Sequence, residues 1–110
     1  MFIVRKHRLR EGLNHISMPL GAETLTIGTL PSGLHLWYRG PDMAPTLENR
    51  IFVVAEDSQR VEEPAGYTVC HIGSLVAIHI SAHVFELVPA SALAAAAARQ
   101  TGDYLVGEGR

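Results

Sequence analysis

The sequence predicts a mainly β protein, an antiparallel sandwich or a partly open barrel, followed by one C-terminal α-helix. Three observations lead to this fold class. Short runs rich in β-branched and aromatic residues recur over the first 89 residues, and turn residues separate them. None of these runs has a helical period. After Pro89 the composition changes to a run of alanines, which favours a helix.

The chain of 110 residues has the size of one domain, and residues 1–89 are assigned to a single β-rich domain. Seven or eight strands are expected in it. The runs with strand character are 2–9, 15–18 (after a break at Gly12), 23–30, 34–39, 50–56, 67–72 and 75–88.

Two connections carry turn residues. Pro31, Ser32 and Gly33 separate two adjacent runs, and glycine supplies the positive φ angle that a three-residue hairpin loop needs. Gly73 and Ser74 predict a turn between the last two strands. The acidic stretch from Glu56 to Pro64 predicts a solvated loop.

The residues after the β region predict a helix and a tail. Ser91 is suited to cap a helix over 92–100, so residues 90–100 are assigned to an alanine-rich helix. Residues 101–110 contain three glycines and predict a flexible tail.

The predicted register of the first hairpin leaves apolar groups on both of its faces. Pairing Leu30 with Leu34 places two sets of side chains on opposite faces. These sets are Leu25, Ile27, His35 and Trp37 on one face, and Leu34, Leu36 and Tyr38 on the other. Because antiparallel sheets normally have one polar face, either the hairpin lies between two layers or its second face contacts another subunit. We expect the contact in a homo-oligomer.

The run 75–88 alternates between apolar and polar residues. Its apolar set predicts a core-facing row of Val76, Ile78, Ile80, Ala82 and Val84. The intervening His79, Ser81 and His83 then form a polar row on the opposite face. The alternation inverts after Val84, so we expect a β-bulge or a bend near residues 82–84.

Composition excludes several classes of protein. The net charge of −2 argues against a nucleic-acid-coating protein, and no apolar run reaches the length of a transmembrane helix. The single cysteine, Cys70, excludes an internal disulfide and is typical of a reducing cytoplasm. No phosphate-binding glycine loop or nucleophile-elbow motif is present.

The six histidines do not predict a metal site. On a strand, His79 and His83 are about 13 Å apart, whereas two donors to one zinc ion must lie within about 4 Å of each other. We therefore expect neither a bound metal nor a cofactor. The alternative is a small metal- or cysteine-dependent enzyme that uses His79, His83 and Cys70.

Candidate binding residues flank the central loop 40–49. Arg39 and Arg50 bracket this loop, and arginine is suited to carboxylate and phosphate groups. The candidate surface for a partner or a small anionic, nucleotide-like ligand comprises Trp37, Tyr38, Arg39, Arg50, His79, Ser81 and His83. The cations near the N-terminus, Arg5 to Arg10, have two interpretations, as protection of an edge strand or as a docking strip.

A series of short motifs resembles a known family. The motifs are Met18-Pro19, Gly21-Ala22, Leu36-Trp37, Pro41, Arg50, Phe52, Tyr67, Gly73 and the closing His83-Val84-Phe85-Glu86. In this order they resemble a small family of bacteriophage-encoded, β-rich proteins of about 80–110 residues and unknown function. The sequence Ala55 to Ser58 departs from the Thr-Gly-His that follows the central strand in that family.

The resemblance implies a phage or prophage gene that acts in the cytoplasm of a bacterial host. We therefore expect a non-enzymatic phage accessory protein that self-associates and binds a host factor or sequesters a small anionic ligand. A virion or assembly component is a further alternative. Neither a membrane nor nucleic acid is expected as a partner.

Overall fold

Seven antiparallel strands form two sheets in the computed structural model, which describes residues 1–43 and 45–92. The strands are β1 (Phe2–Arg8), β2 (Gly12–Pro19), β3 (Glu23–Leu30), β4 (Gly33–Pro41), β5 (Leu47–Ala55), β6 (Tyr67–Ala77) and β7 (Ile80–Pro89). One sheet has three strands in the order β1-β4-β3, and the other has four in the order β2-β5-β7-β6. The strands are antiparallel, and the two sheets are open rather than closed into a barrel. The predicted antiparallel β class is therefore confirmed.

The core lies between the two sheets. Leu36 and Tyr38 of the central strand β4 pack with the inward residues of the four-stranded sheet. The largest side chains with almost no exposed surface are Phe52, Ile16, Met18, Leu36 and Val84. At Gly40 a Cβ atom would lie 3.0 Å from Cγ of Pro19, so a larger residue there would push against β2.

The β3–β4 hairpin has a different register from the predicted one. Its loop has two residues, and Leu30 pairs with Gly33. Ile27 therefore lies opposite Leu36, where both contribute to the core, and Trp37 lies opposite Thr26 on the outer face. The prediction that Ile27 shares a face with Trp37 is wrong because a one-residue change of register exchanges the faces.

The turn predicted at Gly73 and Ser74 is also wrong. Strand β6 continues through both residues, and the turn to β7 consists of Ile78 and His79. The bulge lies on β6 between His71 and Gly73 rather than at residues 82–84.

This bulge reverses the alternation of β6 and accounts for a third correction. Leu75 lies opposite Ala82 on the inner face, and Val76 lies opposite Ser81 on the outer face. Val76, predicted to be in the core, is therefore 77% exposed, and Ile78, also predicted there, is 93% exposed because it lies in the turn. The same prediction is confirmed for Ala82 and Val84, which are buried.

Strand β2 begins three residues earlier than predicted, at Gly12. Asn14 makes this possible, since its side chain accepts a hydrogen bond from the Arg10 amide (2.7 Å) and donates one to the Arg10 carbonyl (2.8 Å). Strand β1 is an edge strand, which fits the first interpretation of its cations.

Residues 90–92 are helical. The remainder of the predicted alanine-rich helix and the predicted tail 101–110 lie outside the described residues. Within residues 1–43 and 45–92 no helix has the length and apolar character needed to cross a bilayer.

Candidate functional site

The outer face of the three-stranded sheet combines cations with aromatic rings. The pairing of β1 with β4 places Lys6 opposite Trp37 and Arg8 opposite His35. Directly opposed residues of antiparallel strands project from the same face of the sheet. We call this surface the cationic face, and it consists of Phe2, Val4, Lys6, Arg8, His35, Trp37 and Arg39.

The indole of Trp37 lies over the neighbouring strand β3, at the centre of the cationic face. A Cβ atom on Gly28 would be 3.4 Å from Cζ3 of Trp37, so the glycine leaves room for the indole to lie close to β3. The His35 ring is tilted against the indole with 6.0 Å between ring centroids. His35 is buried, and its Nδ1 is 2.8 Å from the Gly33 carbonyl oxygen, so its orientation is fixed.

Arg39 and Phe2 form the other end of the cationic face. The Arg39 guanidinium lies 4.9 Å from the centroid of the Phe2 ring. Its Nη2 is also 2.9 Å from Oε2 of Glu23, in an exposed ion pair. No described carboxylate lies within 4.0 Å of Lys6 or Arg8.

Tyr38 points away from the cationic face. Neighbouring residues of a strand project to opposite sides, and Tyr38 lies in the core with 6% of its surface exposed. Trp37 and Tyr38, predicted as parts of one contact surface, are therefore on opposite faces of β4.

Arg50 projects into the space between the sheets, where it pairs with Glu86 of β7. Two parallel hydrogen bonds connect the side chains, from Nε to Oε2 at 2.6 Å and from Nη2 to Oε1 at 2.7 Å. Nη1 donates to the carbonyl of Ala22 and lies 4.0 Å from a carboxylate oxygen of Glu48. Every nitrogen of the guanidinium thus has an acceptor within the protein.

The pairing with Glu86 determines the charge state of Arg50. Burial alone lowers the pKa of Arg50, but the hydrogen bond and the charge of Glu86, with a contribution from Glu48, raise the pKa above its ordinary value. The guanidinium therefore stays charged and paired. A cleft of about 690 Å³ adjoins the pair, and its apolar lining includes Leu20, Ile51 and Leu87.

Four polar side chains form a continuous chain on the outer face of the four-stranded sheet. The His71 Nε2 is 2.8 Å from Oγ of Ser74, and this Oγ is 2.8 Å from Nδ1 of His83. Nε2 of His83 is 2.6 Å from Oδ1 of Asp57. We call this series the His71–Asp57 chain.

Of the remaining predicted residues in the described part of the chain, Ser81 contacts the His71–Asp57 chain, whereas His79 and Cys70 lie elsewhere. Ser81 accepts a hydrogen bond from the Asp57 amide over 3.4 Å. His79 is in the turn between β6 and β7 and is exposed, so it does not form a row along the strand with Ser81 and His83. Cys70 pairs with Glu86 in the register of β6 and β7, on the opposite face of the sheet from His83.

Apart from Tyr38 in the core and His79 in the β6–β7 turn, the predicted site residues divide among three surroundings. Trp37 and Arg39 belong to the cationic face, His83 and Ser81 lie at the His71–Asp57 chain, and Arg50 belongs to the interior. The described part of the chain contains no group of three or more His, Cys, Asp or Glu side chains that could hold a metal ion.

The binding surface predicted from the sequence does not include Glu86, Asp57, Ser74 or His71. Asp57 was assigned to a solvated loop and Ser74 to a turn. One sequence feature indicates the role of Glu86. It is the acidic residue between Phe85 and Leu87 in a strand with few charges, where an arginine on a neighbouring strand is the expected partner.

These features define a small protein of two antiparallel sheets, with a cationic face on one sheet and a polar chain on the other. Residues 1–94 match the family model described as a domain of unknown function (DUF7352). The match covers most of the chain, and the protein belongs to this family. No curated protein and no solved structure matches the chain significantly.

The Arg50–Glu86 pair generates a prediction about stability. Glu86→Gln removes the hydrogen-bonded counter-charge of the guanidinium and leaves only Glu48 at 4.0 Å, so we expect the free energy of unfolding to fall by about 3 kcal/mol. Urea denaturation measures this loss. Glu23→Gln is the matched control, because it removes an exposed ion pair and should cost no more than about 1 kcal/mol. Equal losses in the two variants would contradict the structural role of the buried pair.

The Asp57–His83 contact generates a prediction about pH dependence. The hydrogen bond from His83, followed by that with Ser81, lowers the pKa of Asp57 below its ordinary value of 3.8. The ionised carboxylate is thus favoured in the folded state. Its contribution to stability is complete above the unfolded pKa and is lost as the pH falls through the folded pKa.

We therefore expect Asp57→Asn to be less stable than the parent protein at about pH 5, and the difference to shrink below about pH 4. Thermal unfolding over this range measures the effect. Asp42→Asn is the control, since Asp42 is an exposed aspartate near the other sheet. A pH-independent difference for Asp57→Asn would show that its carboxylate charge does not matter.

Proposed function

We propose that the protein binds a small anionic ligand with a planar ring, of the nucleotide type, on the cationic face. The observation that carries the proposal is the position of Trp37, half-buried and centred among Lys6, Arg8 and Arg39. The binding role predicted for Trp37 and Arg39 is retained. The proposal assigns no ligand contact to Arg50, because its guanidinium is already paired with Glu86.

The indole of Trp37 supplies a stacking surface for the ring of the ligand. Gly28 supports one part of the indole, and the side chain is held at a half-buried position on a regular strand. A preorganised aromatic group loses little entropy on binding. Stacking of a nucleobase on an aromatic side chain contributes about 1–3 kcal/mol.

The cations supply the charge for a phosphate group. Lys6 is directly across from Trp37, and Arg8 is two positions further along β1. Glu23 pairs with Arg39 and thereby neutralises one of the three cations. Lys6 and Arg8 remain for the ligand, and arginine can bind a phosphate through two parallel hydrogen bonds.

Edge protection explains these charges only in part. Cations on an edge strand prevent pairing with other strands whichever face they project from. That role gives no reason for a half-exposed tryptophan beside them, whereas ligand stacking does. The small-ligand proposal accounts for both features.

The resemblance to phage-encoded proteins supports a wider context for this binding. We propose that the protein is a phage accessory protein whose cationic face binds without catalysis, and that it sequesters its ligand in the host cell or presents this face to a host factor. Self-association remains part of the proposal, supported by the exposed apolar side chains Val76 and Ile78 at the β6–β7 turn.

Trp37 is the single tryptophan of the chain, so intrinsic fluorescence reports directly on the proposed site. We expect ATP to quench this fluorescence with saturation, and adenosine to quench it only at higher concentration because it lacks phosphates. Lys6→Ala/Arg8→Ala should weaken ATP binding by about tenfold or more through the loss of charge-assisted hydrogen bonds.

Arg60→Ala is the control variant, since Arg60 is exposed in the loop between β5 and β6. Absence of saturable quenching up to millimolar ATP would overturn the proposal. Equal affinities of the double variant and of Arg60→Ala would do so too. Binding of an oligothymidylate without binding of ATP would replace the small ligand by nucleic acid.

A further inference from the structure

We propose that Ser74 is a nucleophile activated by His83, and that it reacts with small activated esters. The inference concerns the outer face of the four-stranded sheet and does not depend on ligand binding at the cationic face. It rests on the hydrogen bonds that connect Ser74, His83 and Asp57.

Strand pairing brings these three residues together. Ser74 lies directly opposite His83 in the pairing of β6 with β7. Ala55, the last residue of β5, lies opposite His83 on the other side, so the chain reaches Asp57 two residues later. Two of the three groups are thus on regular strands, which fixes the distance between Ser74 Oγ and His83 Nδ1 at 2.8 Å.

With His83 neutral, the hydrogen bonds have a single direction. The pKa of Asp57 is lowered, so its carboxylate is ionised at neutral pH and only accepts hydrogen bonds. Nε2 of a neutral His83 therefore carries the proton and donates to Asp57, and Nδ1 is the acceptor. The Ser74 hydroxyl donates to that Nδ1, while His71 donates from its Nε2 to Oγ.

This is the polarity that a serine nucleophile requires, with a carboxylate that fixes the tautomer of the base. The two imidazole nitrogens exchange roles relative to the serine proteases, since Nδ1 rather than Nε2 faces the hydroxyl here. Both nitrogens of a neutral imidazole can serve as the base, depending on the tautomer.

The proposed reaction with an ester has two stages. Oγ of Ser74 attacks the carbonyl carbon while its proton passes to Nδ1 of His83. The bond to the leaving oxygen then breaks, the alcohol takes that proton, and an acyl-serine remains. Water attacks the acyl-serine with His83 as the base, which releases the acid and restores Ser74.

The surroundings of the site limit the substrate class. The side chains of Asp57 and His83 are 72% and 28% exposed, so the site is open to solvent. General-base assistance contributes rate factors of about 10² to 10⁴. Esters with good leaving groups, such as phenyl esters, need no more assistance than this, which defines the expected substrates.

A fluorophosphonate probe tests the proposal through one covalent event. Oγ attacks phosphorus, the phosphorus–fluorine bond breaks, fluoride leaves, and the proton passes to His83. Mass spectrometry of the labelled protein locates the adduct. We expect labelling at Ser74 and not at Ser17, an exposed serine of β2 that serves as the internal control in the same sample.

Variants then separate the roles of the neighbours. His83→Gln should slow labelling of Ser74 by about 100-fold, whereas Ser17→Ala should leave it unchanged. Equal rates at Ser74 and Ser17 in the parent protein would overturn the proposal without reference to any variant. Unchanged labelling of Ser74 in His83→Gln would overturn it as well.

Asp57 is a positioning residue in this scheme, and its test uses a spectroscopic signature. Nitrogen-15 NMR should show His83 as the Nε2–H tautomer in the parent protein and in Asp57→Glu, and a mixture of tautomers in Asp57→Asn. The rate of labelling of Ser74 should be similar in the parent protein and in Asp57→Glu, and lower in Asp57→Asn. Asp57→Asn with both the parent tautomer and the parent rate would contradict the assignment of Asp57.

Discussion

The pairing of Arg50 with Glu86 is the constraint on which the rest of this fold depends. Both side chains project toward the interior from neighbouring strands, where an unpaired charge would be strongly unfavourable. Each guanidinium nitrogen has a protein acceptor, and one of these, the Ala22 carbonyl, precedes β3 of the other sheet. The pair therefore joins β5 to β7 and connects the four-stranded sheet to the segment that enters the three-stranded one.

With the interior organised in this way, the polar and aromatic groups available for function lie on the two outer faces. The two outer faces differ in chemistry because different strands form them. Strand β1 contributes cations beside Trp37, whereas β6 and β7 contribute histidine and serine side chains that connect to Asp57. The first combination favours binding of an anion with a planar ring, and the second favours proton transfer to and from a hydroxyl.

The sequence predicted the fold class and most strands, because alternation and β-branched residues reflect burial directly. It did not predict register. The two-residue loop after Leu30 and the bulge between His71 and Gly73 each change which residues face the core. Ser74 was not predicted as a site residue because a turn was predicted at its position. Asp57 was not predicted because it reaches His83 through the pairing of β5 with β7, two strands that are not consecutive in the chain. The site residues of β4 were found, but their partners on β1 required the pairing of distant strands.

The central claim is that the ligand binds at the cationic face and nowhere near the buried ion pair. Amide NMR of nitrogen-15-labelled protein during a titration with ATP tests this most directly. We expect shifts for Lys6, Arg8 and the Trp37 indole, with the Arg50 and His83 signals unmoved. Shifts centred on Arg50 and the cleft beside it would contradict the account, as would a spectrum that ATP leaves unchanged.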